Sequence, residues 1–264
     1  MFPTETPLFC TKGFCLMKMK IKTIEDLSLN AWPSHKILIY DGWIIRFSCF
    51  YTHRTNCVEQ IGSSQIALSD KIAYCEEVYE KWNTPAIFKI NPLMDSSFDQ
   101  KLMERGYHIA HTTEVMTMDL ESYEPKEPLA EVSLTPHITS DWLNALFEMN
   151  GTTNPIHKKI VPSMYHAIPG DTIFATVYDG DNVIGTGLGI LDRDYVGIYA
   201  IHVDPGYRRR KIGQSICRAL LKSAREQGAC YAYLQVVKGN SGARTLYESL
   251  GFEYLYTYWF RQQF

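Results

Sequence analysis

The sequence predicts an α+β (mixed α/β) protein, a mixed sheet with helices packed on it. Three observations point there. The 264 residues include 17 Tyr, 12 Phe and 5 Trp, and aromatics favour strands and sheet surfaces. The C-terminal half runs through helical and strand-like periods in the order α, β, β, β, α, β, α, β. The N-terminal half follows a similar outline less distinctly.

In chain order, residues 1–20 read as a loose tail. They are not a secretory signal, because Lys12, Lys18 and Lys20 lie within or after the apolar residues instead of before them. Met17 or Met19 are admissible starts. Ile37 to Tyr40, Asp41-Gly42 and Trp43 to Phe47 suggest a hairpin. Ile72 to Trp82 is helical, Ala86 to Ile90 a strand, Phe98 to Arg105 a helix closed by Gly106, and Tyr107 to Leu120 a long strand. Residues 21–120 make the first lobe. Residues 121–131 set Pro125 and Pro128 among charges with no apolar period, a linker. Residues 132–264 make the second lobe. It opens with a helix over Asp141 to Asn150, capped by Thr139 or Ser140. Ile173 to Tyr178 and Val183 to Leu191 flank the turn Asp179-Gly180-Asp181-Asn182. Val196 to Val203 reads as a buried strand. Ile212 to Glu226 is an amphipathic helix ended by Gly228, and Tyr231 to Val237 a strand. Ser241 to Leu250 is a helix ended by Gly251, and Phe252 to Phe260 an aromatic last strand. Leu102 to Tyr107 resembles Tyr247 to Phe252, which reads either as a common helix–Gly–strand junction or as two copies of one fold.

Charge excludes some partners. Lys plus Arg total 26 against 29 Asp plus Glu, a formal charge of −3. Attraction of the whole chain to nucleic acid or an anionic membrane is not expected. The 7 cysteines include no CxxC pair, which argues against a disulfide framework and a structural zinc site. No metal is expected, and scattered thiols fit a cytoplasmic protein. No uncharged apolar run approaches the roughly 18 residues of a membrane span.

Chemistry concentrates between Ile201 and Gly213. A buried strand ends at His202-Val203-Asp204, Pro205-Gly206 turns the chain, and Arg208, Arg209, Arg210 and Lys211 precede a helix beginning near Gly213. The first helical turn leaves backbone N–H groups unpaired and partly positive, ready for phosphate oxygens. The arginines add charge-assisted hydrogen bonds. Alone, such a cationic run is a solvated face or a localisation patch; its place between strand and helix favours phosphate. Downstream, Asn240 or Ser241 suits a helix cap, and Tyr247 lies on the helix that follows.

Together these segments resemble the GNAT superfamily of acetyl-CoA-dependent N-acetyltransferases. The family pattern joins V-x-P, [Q/R]-x-x-G-x-[G/A], an Asn and A-x-x-[L/F]-Y-x-x-x-G-F. This chain supplies Val203, Pro205, Arg208, Gly213, Asn240, Ala243, Leu246, Tyr247, Gly251 and Phe252 over residues 132–264. Lys211 stands where the family has its first motif glycine. The resemblance implies a central mixed, mostly antiparallel sheet flanked by helices; a second, related N-terminal lobe follows if Leu102 to Tyr107 marks a second copy of the fold. It also implies a coenzyme A site. The diphosphate rests on the amides of Arg208 to Gly213, Ile212 included, and the pantetheine arm lies along Ile201, His202 and Val203. Asn240, Ala243 and Tyr247 stand beside it. Direct attack by an amine on the thioester follows, with Tyr247 returning a proton to the thiolate.

The general base is open. The strand carries His202 and no Glu, and a water relay to Asp192, Asp194 or Glu148 is equally admissible. The aromatic last strand is sheet core or lines an acceptor pocket. Residues 21–120 lack an Arg-rich loop opening a helix, so a second copy would have lost its phosphate site, as in tandem members such as mycothiol synthase. Trp32, Tyr40, Trp43, Arg46, Tyr51, Arg54 and Asn56 either pack a hairpin or face substrate across a cleft. The resulting expectation is a cytoplasmic acetyltransferase for a small-molecule or peptide amine, without nucleic acid or membrane partners, with a homodimer left open. A non-catalytic acyl-CoA sensor and a nucleic-acid module built on Arg208 to Lys211 are the alternatives.

Overall fold

The computed structural model describes residues 8–263. The first half runs α1 (Leu8–Ala31), β1 (Lys36–Tyr40), β2 (Trp43–Phe47), β3 (Val58–Gln60), α2 (Leu68–Glu80), β4 (Ile87–Ile90), α3 (Ser96–Glu104) and β5 (His108–Asp119). The second runs β6 (Ser133–Thr135), α4 (Ser140–Asn150), α5 (Pro155–His166), β7 (Asp171–Asp179), β8 (Asn182–Asp192) and β9 (Tyr195–Val203). It ends with α6 (Ile212–Glu226), β10 (Tyr231–Val237), α7 (Ser241–Ser249) and β11 (Glu253–Gln262).

Among the described residues, eleven strands form one sheet in the order β1-β2-β3-β4-β11-β5-β10-β9-β8-β7-β6. Neighbours are antiparallel except β3–β4 and β9–β10. Each half therefore builds three antiparallel strands, crosses through a helix (α2 or α6) to a fourth, parallel strand, and adds a helix and a long strand. Those long strands change sides: β5 pairs with β10, β11 pairs with β4, and the two pair with each other. The exchange ties both halves into one sheet.

The loose tail expected over residues 1–20 is corrected. From Leu8 the chain is helical, and α1 continues to Ala31. Residues 1–7, with the Met1 start, lie outside the described residues. The reason lies further along the same helix. Ile21, Ile24, Leu27 and Ala31 are buried at helical spacing, and Glu25 accepts hydrogen bonds from Asn91 and Tyr256. Tertiary packing therefore holds a helix whose earlier surface, at Phe14, Leu16, Met17 and Met19, stays exposed.

Three further elements are absent from the sequence reading, the first being the three-residue β3 beside β2. The short strand β6 edges the sheet on β7. The helix α5 contains Pro162, which reads as a breaker; Asn154 caps it by accepting from the Ile156 amide at 2.9 Å. Residues 121–131 form neither helix nor strand, yet they strap across α6. Ser215 Oγ accepts the Leu129 and Ala130 amides at 3.0 Å each, and Lys222 pairs with Glu127 at 2.8 Å.

Three clusters fill the core. One lies under α1, α4 and α5, one under α6 and α7, and one between α2, α3 and the first-half strands. Helices thus cover both faces of the second-half sheet. No described helix is long and apolar enough to cross a membrane.

Candidate active site

The turn after β9 is set by Asp204, whose carboxylate accepts the Gly206 amide at 2.8 Å and whose carbonyl accepts the Tyr207 amide at 2.9 Å. The backbone then becomes left-handed at Arg209 (φ 63) and at Lys211 (φ 62), the residue that immediately precedes α6. No side chain among the described residues caps that helix. Among the described residues no acceptor meets the amides of Arg208 to Gly213, and the first helical bond is Ser215 to the Lys211 carbonyl at 2.9 Å. Unpaired donors at a helix start attract anions. The left-handed φ at Lys211 gives the physical reason a glycine suits that position.

Ile201, His202, Val203, Arg208, Arg209, Lys211, Ile212, Gly213, Asn240, Ala243 and Tyr247 all wall one cavity of about 710 Å³ beside this loop. Arg210 does not. Its guanidinium lies 5.0 Å over the Tyr207 ring.

The parallel pairing of β9 with β10 runs from Tyr195–Tyr231 to Ile198–Leu234 and stops there. The register with β8 shifts between Thr186 and Leu188, and Ala200 is left-handed (φ 51). This bulge turns β9 away from β10. Among the described residues, no strand pairs with the β10-facing edge of β9 beyond Ile198. On the α1 and α4 side of the sheet it opens a second cavity, about 460 Å³, which shares Ile201, His202, Asn240, Ala243 and Tyr247 with the first. Trp32, Tyr51 and Arg54 of the first half wall it. Tyr40, Trp43, Arg46 and Asn56 do not: Tyr40 stacks on Tyr74, Trp43 packs between Phe88 and Phe98, and Arg46 and Asn56 are buried and hydrogen-bonded. Sequence reasoning missed Asn150, Thr152, Tyr165, Tyr199 and Gln235 in this wall. Apart from Tyr199, on the strand already singled out, nothing local marks them.

A family model described as "Probable histone acetyltransferase Rv0428c C-terminal" matches residues 19–260. The chain belongs to this family. It is a GNAT-type N-acetyltransferase. The uncharacterized N-acetyltransferase YobR of Bacillus subtilis is 24% identical over 235 residues, 88% of this chain and 94% of YobR. A GCN5-related N-acetyltransferase from Kribbella flavida has the same fold, with TM-score 0.66 at 13% identity over 92% of this chain and 94% of that one. So does a tandem GNAT protein from the clavulanic acid biosynthesis pathway, with TM-score 0.59 at 13% identity over 78% and 74%.

Within this acetyltransferase, Tyr247 is buried, and its hydroxyl bonds to no described residue. Burial, with a smaller contribution from Cys217, pushes the phenol well above its ordinary range, so it stays protonated. His202 also lacks a hydrogen-bond partner among the described residues. Burial first and the Arg208 charge second pull its imidazole below the ordinary value, so it is neutral at pH 7 and able to accept a proton. The alternative carboxylates are elsewhere. Asp192 pairs with Tyr195 at the far end of β9, seven residues or about 23 Å from His202, and bonds Asn30 at 2.8 Å. Asp194 closes the same hairpin, and Glu148 is exposed on α4. None of the three walls either cavity. The last strand is sheet core and support: Tyr258 is fully buried and donates to Gln235 at 3.0 Å, and Trp259 donates to Asp99 at 2.9 Å.

The first half has the same β3–loop–α2 arrangement, and there the loop is filled. Asp41, in the β1–β2 turn, accepts the Gln65 and Ile66 amides at 3.0 and 2.9 Å and pairs with Lys71 at 3.4 Å. Those amide bonds, the one from Ile66 foremost, hold its carboxyl below the usual range. A carboxylate of the chain sits where the second half leaves its amides free.

Proposed function

We propose that this acetyltransferase moves an acetyl group from acetyl-CoA to an amine by direct attack in a ternary complex. The single observation behind the reading is that a loop whose amides meet no acceptor among the described residues borders, through Arg208, Arg209 and Lys211 to Gly213, a cavity that shares Ile201, His202, Asn240, Ala243 and Tyr247 with a second one. One cavity suits the cofactor and the other an acceptor. The loop fits a diphosphate in donor count, in charge and in the lack of any protein acceptor for its N–H groups. Acetyl-CoA supplies the thioester carbonyl and the thiolate leaving group.

The chain does the rest. Amides 208–213 hold the diphosphate, aided by Arg208, Arg209 and Lys211. The unpaired edge of β9 from Ile201 to Val203 hydrogen-bonds the pantetheine arm as an added strand would. Its N–H groups near Ile201 meet the negative charge that grows on the carbonyl oxygen. His202 takes the proton from the attacking amine, and Asn240 and Ala243 shape the passage. Tyr247 donates to the departing sulfur. An ordinary phenol lies about 1.5 pKa units above a thiol, and burial widens that gap. Tyr247 therefore keeps its proton and acts by hydrogen-bonding the thiolate as it forms; the thiolate leaves with coenzyme A and takes its proton from solvent, to which His202 returns the proton it took from the amine.

The experiment is coenzyme A in a thermal-shift titration, followed by thiol release from acetyl-CoA across an amine panel. Coenzyme A should raise Tm, and Tyr247→Phe should lower kcat by about 10²-fold or more while leaving the shift intact. No shift with coenzyme A would refute the cofactor site, and a fully active Tyr247→Phe enzyme would remove the proposed acid.

A further inference from the structure

The acceptor cavity contains one fixed charge. Among the described residues that wall it, Arg54 is the only permanent cation and there is no Asp or Glu. Its Nε donates to Gln235 at 2.7 Å and to the Tyr258 hydroxyl at 3.1 Å. No carboxylate pairs with it, and neither terminal nitrogen bonds to a described residue. Arg46, eight positions earlier, shows the contrast. It is buried, pairs with Glu59 at 3.4 Å, and donates to the carbonyls of Arg54 (2.7 Å) and Trp32. One arginine is thus consumed in holding the backbone of two cavity walls, and the second is held by its inner nitrogen with its outer edge unspent.

Around it the wall is aromatic and neutral-polar. Tyr199 donates to or accepts from Tyr233 at 2.7 Å, and the Trp32 ring stands edge-on to Tyr199 at 6.0 Å. The Trp32 indole N–H is buried with no acceptor among the described residues. A guanidinium without counter-charge in such surroundings is costly unless an anion arrives with the ligand. Its two free terminal nitrogens form a planar fork that matches two oxygens of a carboxylate. A phosphate dianion would call for a second cation, and His202 is neutral.

We infer that the acceptor is an amine that also carries a carboxylate, which seats on the terminal nitrogens of Arg54. This rests on the acetyl-transfer reading of the same site. It runs against the chain's net charge of −3, because the local charge of the cavity is positive. A purely cationic amine would face Arg54 unscreened, whereas an amino acid, or a peptide whose carboxylate reaches the pocket, would neutralise it.

Matched acceptor pairs test it by thiol release: amino acids and ω-amino acids against their carboxamides, and phosphoethanolamine against ethanolamine. Acids should exceed their amides by roughly 10–100-fold in kcat/KM, the range of a charge-assisted pair. Phosphoethanolamine should gain less over ethanolamine. Arg54→Gln should bring the acid-to-amide ratio near one, and Arg54→Lys should restore part of it. Because Arg54 also braces Gln235, the wild-type ratio is the primary readout, and it needs no variant. Equal use of acids and amides overturns the inference, and a larger gain from phosphate than from carboxylate overturns its choice of anion. Binding separates this result from failure of the transfer reading. With coenzyme A present, N-acetylated amino acids should raise Tm above their amides whether or not turnover is seen. If they do so and no amine is acetylated, the transfer reading falls and the anion seat stands.

Discussion

Lys211→Gly isolates the strain in the loop before α6. Lys211 sits at φ 62 and ψ 14, left-handed, immediately before α6. A side chain with a Cβ costs about 1–2 kcal/mol in that conformation. Glycine removes that cost but brings about 0.5–1 kcal/mol of extra freedom to the unfolded chain. The net gain is about 0.5–1 kcal/mol, which for a protein of this size raises Tm by about 1–4 °C. Differential scanning calorimetry of the coenzyme-free protein measures it. A second readout comes from coenzyme A titrations at low and high salt. If the ammonium meets a phosphate, affinity falls by several-fold in the variant and its salt dependence flattens. If the side chain only occupies the turn, affinity holds. The reasoning about backbone strain fails if the coenzyme-free variant melts lower than wild type, because the loop would then depend on the lysine side chain.

The remaining predictions concern single contacts. With its pKa held below about 6.5, His202 should leave kcat/KM flat above that pH and bring it down below it. A His202→Gln enzyme should lose both that acid limb and about 10²–10⁴-fold in rate, and an unchanged limb would exclude it as base. The same group makes stability fall as pH drops below about 6.5, because the unfolded chain takes up its proton first. Gly187→Ala would put a Cβ 2.4 Å from Ile216 Cγ2 and 2.9 Å from Ile201 Cδ1. It should cost about 1–3 kcal/mol and weaken coenzyme A as α6 moves with its amides; an unchanged Tm would contradict the packing. Asp41 has a depressed folded pKa, so its stabilisation is complete above the unfolded value near 3.9 and is lost as pH falls through the folded one. Asp41→Asn should therefore melt lower than wild type at pH 7 and converge with it in acid, which a pH series of melts checks.

Most of the second half was legible because its signals are local. The helix α6 has apolar residues in register over its full length and ends before Gly228 (φ 95), and α7 ends before Gly251 (φ 99). The amide loop between β9 and α6 lies within a dozen consecutive residues. What escaped was non-local. The inward face of α1 starts only at Ile21, past the segment that looked unstructured. The exchange of β5 and β11 leaves no trace in either strand, since each would present the same alternation beside its own half. Arg46 and Arg54 are indistinguishable as sequence. One finds carbonyls and Glu59, the other finds a cavity, and only the packing of α1 and the β2–β3 loop separates them.

The two halves share one topology, and two local differences set them apart. The first is the turn before the parallel pair. In the second half Asp179 accepts the Tyr207 hydroxyl at 2.5 Å and leaves the loop amides alone. In the first half Asp41 takes the amides itself, and Gly42 sits so close that a Cβ there would meet Ser63 O at 2.2 Å. The second difference is the connection that follows. Between β8 and β9 it is a tight turn, whereas between β2 and β3 it runs from Ser48 to Cys57. That longer loop is stiffened by Asn56, whose side-chain oxygen accepts the Ser48 and Phe50 amides, and by Arg46 bonded to the Arg54 carbonyl. It delivers Tyr51 and Arg54 to the gap where β9 leaves β10. Filling one loop and lengthening another gives the first half a closed helix start and a wall of the cavity beside β9. The exchanged strands keep that wall in register with β10: Tyr258 of β11 and Gln235 of β10 grip the same guanidinium nitrogen.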